Sequence, residues 1–278
     1  MFVAEFVLIM LIVSVVAGFL GSLVGVGGGI VIIPILTIFL GVDIHFAIGA
    51  SIVSVIATSS GAAASFIKDR LTNLRIGMFL ELGTTAGAIA GAAIAAYVDS
   101  VALELVFAGL LFVTLVPLIR KIGEDIPANP ELRGLSGRLQ LRGSYIETDG
   151  AKIDYNATRP GLGLFGMIIA GVTSGLLGVG GGTFKVLSMD LAMKLPMKVS
   201  TTTSNFMIGV TAAASAGVYF VRGDVNPLIV APVALGILIG ASIGARVLPR
   251  TRNPAIRKVF AVVLAAGAIE MMVRALGY

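Results

Sequence analysis

Residues 171–182 read GVTSGLLGVGGG, and residues 18–29 read GFLGSLVGVGGG. The two stretches stand 153 positions apart (18 against 171), each inside a long apolar run. Sliding the chain along itself at that one offset, without gaps, keeps further residues in step. Ser51 meets Ser204, Thr58 meets Thr211, Asn73 meets Asn226, and Gly83, Gly87, Gly91 and Ala92 meet Gly236, Gly240, Gly244 and Ala245. An offset held so far along the chain marks a duplicated unit, and internal repeats of this size in an apolar chain are a transporter signature.

Composition places the duplicated unit in a bilayer. Of 278 residues, 57% are hydrophobic and 13% charged, with a mean hydropathy of +1.02, far from soluble composition. Apolar segments fall at about 2–24, 30–42, 46–67, 76–98 and 102–119, and again at about 162–177, 183–195, 199–221, 228–248 and 255–277. Most are long enough to cross a hydrocarbon core of roughly 30 Å as helices. Alternating barrel strands are absent, so closed helices are the expected spanning elements. The first run starts at Phe2, contains Glu5 and has no Lys or Arg before it, so it reads as a structural helix rather than a cleaved signal.

Charge gives sidedness. Of the 20 Lys and Arg residues, all but Lys185, Arg222 and Arg274 fall near 68–75, 120–159, 194–198 or 246–258, which the positive-inside rule assigns to the cytosol. That rule also accounts for the net charge of +5 without nucleic acid as a partner. With this assignment, 76–98 runs outward and its counterpart 228–248 inward, because each half crosses an odd number of times. Tyr97, Tyr219 and Tyr278 then fall near outer helix ends, as interfacial tyrosines do.

The expected fold is therefore an all-α polytopic membrane protein. It has two inverted repeats of about five hydrophobic segments each, with glycine-interrupted helices, and a small cytosolic β-hairpin insert. Repeat 1 covers 1–122 and repeat 2 covers 161–278. The insert, 123–160, includes RLQLRGSYIETDGAKIDYNATRP, in which alternating strands flank a TDG turn. It suits a lid, an assembly surface or a linker equally.

Three adjacent glycines are costly inside a helix, so each apolar segment should break there. In hydrocarbon such a break persists only where it is buried in protein or lines a polar cavity. The expected half-sites are Gly25, Gly27, Gly28 and Gly29 in the first repeat and Gly178, Gly180, Gly181, Gly182 and Thr183 in the second. The short segments that follow aim positive helix ends at the breaks, which favours an anion. The alternative is that the glycines let helices pack closely, which suits Gly83, Gly87, Gly91, Gly236, Gly240 and Gly244 better. Neither nucleotide-binding glycine pattern fits: Phe184 and Ile30 stand where those motifs need a small residue.

Lys185 places an ammonium about one turn beyond the second break, where an unpaired charge is expensive. It reads as a partner for an anionic substrate or a titrating switch; the alternative is snorkelling or neutralisation by a carboxylate such as Asp190. Thr203, Ser204 and Asn205, with Ser51 in the mirror helix, offer hydroxyl and amide donors for an oxyanion, or else cap and cross-link helices. Glu81 and Glu270 read as interfacial, which leaves no deep carboxylate near either motif and weakens a cation carrier. The single histidine, His45, gives no metal set, and no cofactor is expected. With no cysteine and that histidine remote from the glycine motifs, an intramembrane enzyme is disfavoured. A non-transporting scaffold or sensor acting through the insert remains the rival to transport.

The paired glycine motifs, the later KVSTTTSNF stretch and the two matched halves resemble the TauE/SafE family of sulfite exporters, also called 4-toluene sulfonate uptake permeases. The resemblance covers both membrane halves and leaves out the central insert. It implies secondary transport of sulfite or a small organosulfonate across a bacterial inner membrane by alternating access. It also implies ion coupling and a possible homodimer, the partners being the small anion and the lipid bilayer. The sequence departs from internal symmetry at Ile32, the mirror of Lys185, so the half-sites are expected to contribute unequally.

Overall fold

A computed structural model describes residues 3–24, 28–68, 72–119, 134–146, 152–247 and 253–276. The first half runs α1 (Val3–Val24), α2 (Gly29–Pro34) with a π-helical stretch at Ile35–Phe39, α3 (Ile44–Lys68), α4 (Leu74–Ala95) and α5 (Ser100–Ile119). Then come α6 (Gly134–Arg138) and an antiparallel hairpin, β1 (Arg142–Ile146) with β2 (Lys152–Asn156). The second half runs α7 (Pro160–Leu177), α8 (Gly182–Leu187) with a π-helical stretch at Ser188–Ala192, α9 (Met197–Arg222), α10 (Pro227–Val247) and α11 (Asn253–Ala275). The TDG turn, the termini and Gly25, Val26 and Gly27 lie outside the described residues.

The duplication seen in the sequence recurs in the elements. At the offset of 153, α2 and its π stretch coincide residue for residue with α8 and its own. Even the bond closing each π stretch repeats: Val42 N donates to Leu36 O at 3.0 Å, and Leu195 N to Met189 O at 3.2 Å. Eleven residues at about 1.5 Å each rise roughly 16 Å, half a bilayer core. Each glycine-started segment is thus half a span, long enough to reach mid-membrane from one side.

Packing repeats too. Helix α1 lies along α10 and α4 along α7, while α3 packs on α9 and α5 on α11. A Cβ on Gly87 would collide with the carbonyl of Ile168, and one on Gly240 with that of Val15, which is the same contact at the same offset. These glycines bring helix backbones together, the role expected for small residues between membrane helices. Among the described residues, five helices are long and apolar enough to cross a membrane. Their outward faces carry large apolar side chains, among them Leu8, Leu82, Phe165 and Leu235, as lipid contact requires.

The hairpin is seated on the membrane helices rather than strung between them. Thr158 N donates to Met193 O at 2.9 Å, and the Asn73 amide donates to Arg142 O at 3.1 Å and to the Tyr155 hydroxyl at 3.0 Å. Leu141 and Tyr155 join Ile76, Leu80, Met167, Met189 and Met193 in one apolar cluster. Asn73 also caps α4, its side chain accepting from Ile76 N at 3.1 Å. One interfacial assignment is overturned: Tyr219 is fully buried and donates to Gly175 O at 2.8 Å. It lies on the face of α9 turned toward α7, and facing decides burial more than distance from a helix end.

Candidate functional site

The second glycine break is built from left-handed backbone. Gly178 (φ +68) ends α7, and Gly180 (+75) and Gly181 (+64) follow before α8 starts at Gly182. Only glycine holds such a run without strain. The first amides of α8 have no intrahelical acceptor, so the break presents donors toward its surroundings. In the first break, Gly28 and Gly29 are described and buried, and Gly28 is right-handed (φ −67). Gly25 and Gly27 fall outside the described residues.

The structure brings the two breaks together. A Cβ on Gly29 would meet Ser51 Oγ, and would lie 2.9 Å from Val55 Cγ2 and 3.3 Å from the carbonyl of Gly178. Ser51 Oγ donates to that Gly178 carbonyl at 2.7 Å, joining α3 to the opposite break. From the other side, Ser204 Oγ donates to Gly182 O at 3.3 Å, and Ile208 covers Gly180 and Gly182. Positions 51 and 55 on α3 and their mirrors 204 and 208 on α9 thus supply the two walls. A cavity of about 10 Å³ lies beside the second break, lined by Ile30, Leu110, Thr114 and residues 179 and 181–184 including Thr183. That is room for about one water, so an oxyanion needs the lining elements, α2, α5 and α8, to part.

One expected ligand is engaged elsewhere: Thr203 is buried but turned toward the start of α4, accepting from Asn73 N at 3.1 Å. Asn205 is half-buried on α9, one residue beyond Ser204. Ser174, not singled out from the sequence, has a buried hydroxyl without a partner among the described residues, and lies against Gly181.

Lys185 is fully buried, and its Nζ donates to Thr211 Oγ1 at 2.6 Å. The same Thr211 oxygen lies 2.7 Å from Glu81 Oε1 on α4 and 2.8 Å from Met207 O. Thr85 Oγ1 also donates to Glu81 Oε1, at 3.1 Å. Glu81 is 7% exposed, two turns inside α4, and its charge acts on Lys185. Two expectations are corrected here: Glu81 is not interfacial, and a deep carboxylate does lie near the second motif. The carboxylate that balances Lys185 is Glu81 rather than Asp190. One carboxylate facing an ammonium still offers no cation cage. The missed signal was the face: Glu81 belongs to the buried row Gly77, Leu80, Thr84 and Ala88, which packs on α7 and α9.

The sole histidine joins a separate cluster. His45 Nδ1 lies 3.0 Å from Asp43 Oδ1, and Ser100 Oγ donates to Asp43 Oδ2 at 2.9 Å. Ser100 faces the same ring nitrogen that meets the carboxylate, at 3.5 Å, so these three side chains form no nucleophile–base relay. Burial pushes the Asp43 carboxyl up, but hydrogen bonds from the His45 amide, Ser100 and the His45 ring outweigh it and hold it below the ordinary 3.8.

A larger open depression of about 640 Å³ lies on the hairpin, lined by Arg75, Gln140, Arg142, Gly143, Ser144, Asp154 and Asn156. It is remote from both breaks and of mixed charge; the convergence of the two halves identifies the glycine region as the candidate site.

Comparison with known proteins places the chain among membrane transporters. The family model described as Sulfite exporter TauE/SafE matches residues 10–271. The chain is 26% identical over 263 residues to the Probable membrane transporter protein YunE of Bacillus subtilis (strain 168), covering 92% of this chain and 93% of that protein. It is 24% identical over 241 residues to the Probable membrane transporter protein YdhB of the same organism, covering 86% and 88%. No solved structure matches.

Proposed function

The chain belongs to the TauE/SafE sulfite exporter family of membrane transporters, and on that premise we propose that it carries sulfite or a small organosulfonate across a bacterial inner membrane by alternating access. The observation that supports this reading is the meeting of the two half-spans at Gly29, Ser51 and Gly178. In the proposed site, the second break supplies amides, Ser51 and Ser204 exchange their carbonyl partners for substrate oxygens, and Lys185 supplies positive charge. Thr183 lines the cavity and completes the set.

The two halves act as inverted repeats. The cavity beside the second break is far too small for a sulfur oxyanion, so binding goes with separation of the elements that line it, α2, α5 and α8. A site that must rearrange to admit its ligand, flanked by half-spans from opposite sides, suits alternating access. The insert lies on the cytosolic face and ties α4 to α9 through Asn73, where it rides with those helices as they move.

Thermal stabilisation of detergent-purified protein by sulfite, ethanesulfonate, taurine, sulfate and chloride tests the substrate class, because a ligand that binds only the folded state raises its stability. Selective stabilisation by sulfur oxyanions, lost in Lys185→Ala, is the expected result. Equal response to chloride, or none to any sulfur anion, contradicts the reading.

A further inference from the structure

We infer that Glu81 is the proton-carrying group of the transport cycle, switched by Lys185 through the hydroxyl of Thr211. The inference rests on the anion-transport reading above and adds its coupling ion.

The first observation is internal. Lys185, Thr211 and Glu81 stand on α8, α9 and α4; their mirrors at the offset of 153 are Ile32, Thr58 and Ala234 on α2, α3 and α10. Both charges are missing from the mirror while the threonine between them stays. The same helix contacts form in both halves, so the fold does not need the charge pair. A pair of ionised side chains inside a membrane protein that the scaffold can do without is a candidate for function.

The second observation is the hydrogen-bond count. Thr211 Oγ1 accepts from Lys185 and has one hydrogen, with two acceptors in reach: Glu81 Oε1 at 2.7 Å and Met207 O at 2.8 Å. When Glu81 is ionised, Thr211 donates to it. When Glu81 carries a proton, its own O–H can donate to Thr211, whose hydrogen then turns to Met207 O. Both states are fully bonded at this hydroxyl without movement of a helix. Meanwhile Glu81 Oε2 is buried and has no partner among the described residues, so it can take the incoming proton, and a half-turn of the carboxyl brings that O–H onto Thr211.

The third is isolation. Helix α7 carries no charged residue, α9 has Lys198 and Arg222 only at its two ends with Tyr219 bonded to α7 carbonyls, and the π stretch after α8 has Asp190. On α4 itself, Arg75 donates to Gln140 at the hairpin. Lys185 is the charge that acts on Glu81. An anion drawn to Lys185 therefore offsets the charge that, with the Thr211 and Thr85 hydroxyls, holds Glu81 ionised. The cycle balances: the empty site holds Lys185 positive and Glu81 negative; the loaded site holds Lys185 positive, a singly charged anion, and Glu81 neutral after it accepts a proton from water. Anion and proton enter together and leave together.

The full-length protein in proteoliposomes separates this inference from the reading beneath it. Labelled sulfite is followed in two assays, exchange against internal sulfite at equal pH and accumulation driven by a pH gradient. Wild type should do both; Glu81→Gln should keep exchange and lose accumulation. No exchange by folded wild type removes the transport reading, and the inference with it. Exchange without a response to the pH gradient in wild type overturns proton coupling alone. Accumulation by Glu81→Gln, or loss of exchange in it with unchanged melting temperature, overturns the role of Glu81. Should the variant not fold, wild type suffices: a hydrophobic carbodiimide, which attacks protonated buried carboxyls, should label Glu81 faster when sulfite is present. Labelling that is unchanged or slowed by sulfite contradicts the inference.

Discussion

The hydroxyl of Ser51, in the first half of the chain, donates to the carbonyl of Gly178, in the second, at 2.7 Å. That bond crosses from one half-site to the other, and it satisfies a carbonyl freed where α7 ends. Both atoms are buried, so neither has water as a substitute.

Ser51→Ala should leave the Gly178 carbonyl without its donor and lower stability by roughly 1–3 kcal/mol, the range for a buried group left unpaired. Melting of the purified protein measures it. Ser51→Thr, which keeps the hydroxyl, should recover part of the loss.

Substitutions of glycine should sort by surroundings. Gly178→Ala places a Cβ at φ +68, 2.9 Å from the Ile48 carbonyl, and should both destabilise and block transport. Gly240→Ala should separate α1 from α10. Gly217→Ala, on α9 with nothing within 4 Å, should be neutral or stabilising by about 0.5–1 kcal/mol. Equal effects at all three positions would refute the close-packing and strain arguments together.

Removing one charge should be worse than removing two. Lys185→Ile alone strands Glu81, a loss on the order of 3–5 kcal/mol for a buried charge without its partner. Adding Glu81→Ala recreates the Ile32 and Ala234 arrangement of the first half and should restore most of the melting temperature. Additive effects in that double-mutant cycle would show that the two side chains are not coupled.

Asp43 gives a pH dependence outside the spanning segments. Its folded carboxyl sits below 3.8, so its bonds to His45 and Ser100 add stability that is present above that value and lost as pH falls through the lower, folded one. Asp43→Asn should therefore melt below wild type at neutral pH, with the gap closing under acid conditions. A gap that widens on acidification would reverse the sign of the assignment.

The duplicated order of elements was legible in the sequence because glycine and apolar spacing carry it directly: Gly29 and Gly182 start matching half-spans, and the hairpin lies where alternation placed it. The glycines of the two half-sites were legible as a repeated motif; that Gly29, Ser51 and Gly178 meet, and which carbonyl Ser51 bonds, depends on how α3 crosses the break. Glu81 was misread because distance from a predicted membrane edge was taken as a measure of burial. What hides it is its row on α4, turned toward Thr211 and Lys185. Tyr219 was misread for the same reason. Thr203 and Ser204 are neighbours in sequence but point about 100° apart on a helix, so only Ser204 reaches the break.

The most direct test of the account is exchange of labelled sulfite by purified protein in proteoliposomes, compared between wild type, Gly178→Ala and Gly217→Ala. Saturable exchange in wild type and Gly217→Ala, abolished in Gly178→Ala, is predicted. Exchange that survives distortion of the break at Gly178 in a folded protein would contradict a substrate site where the two halves meet.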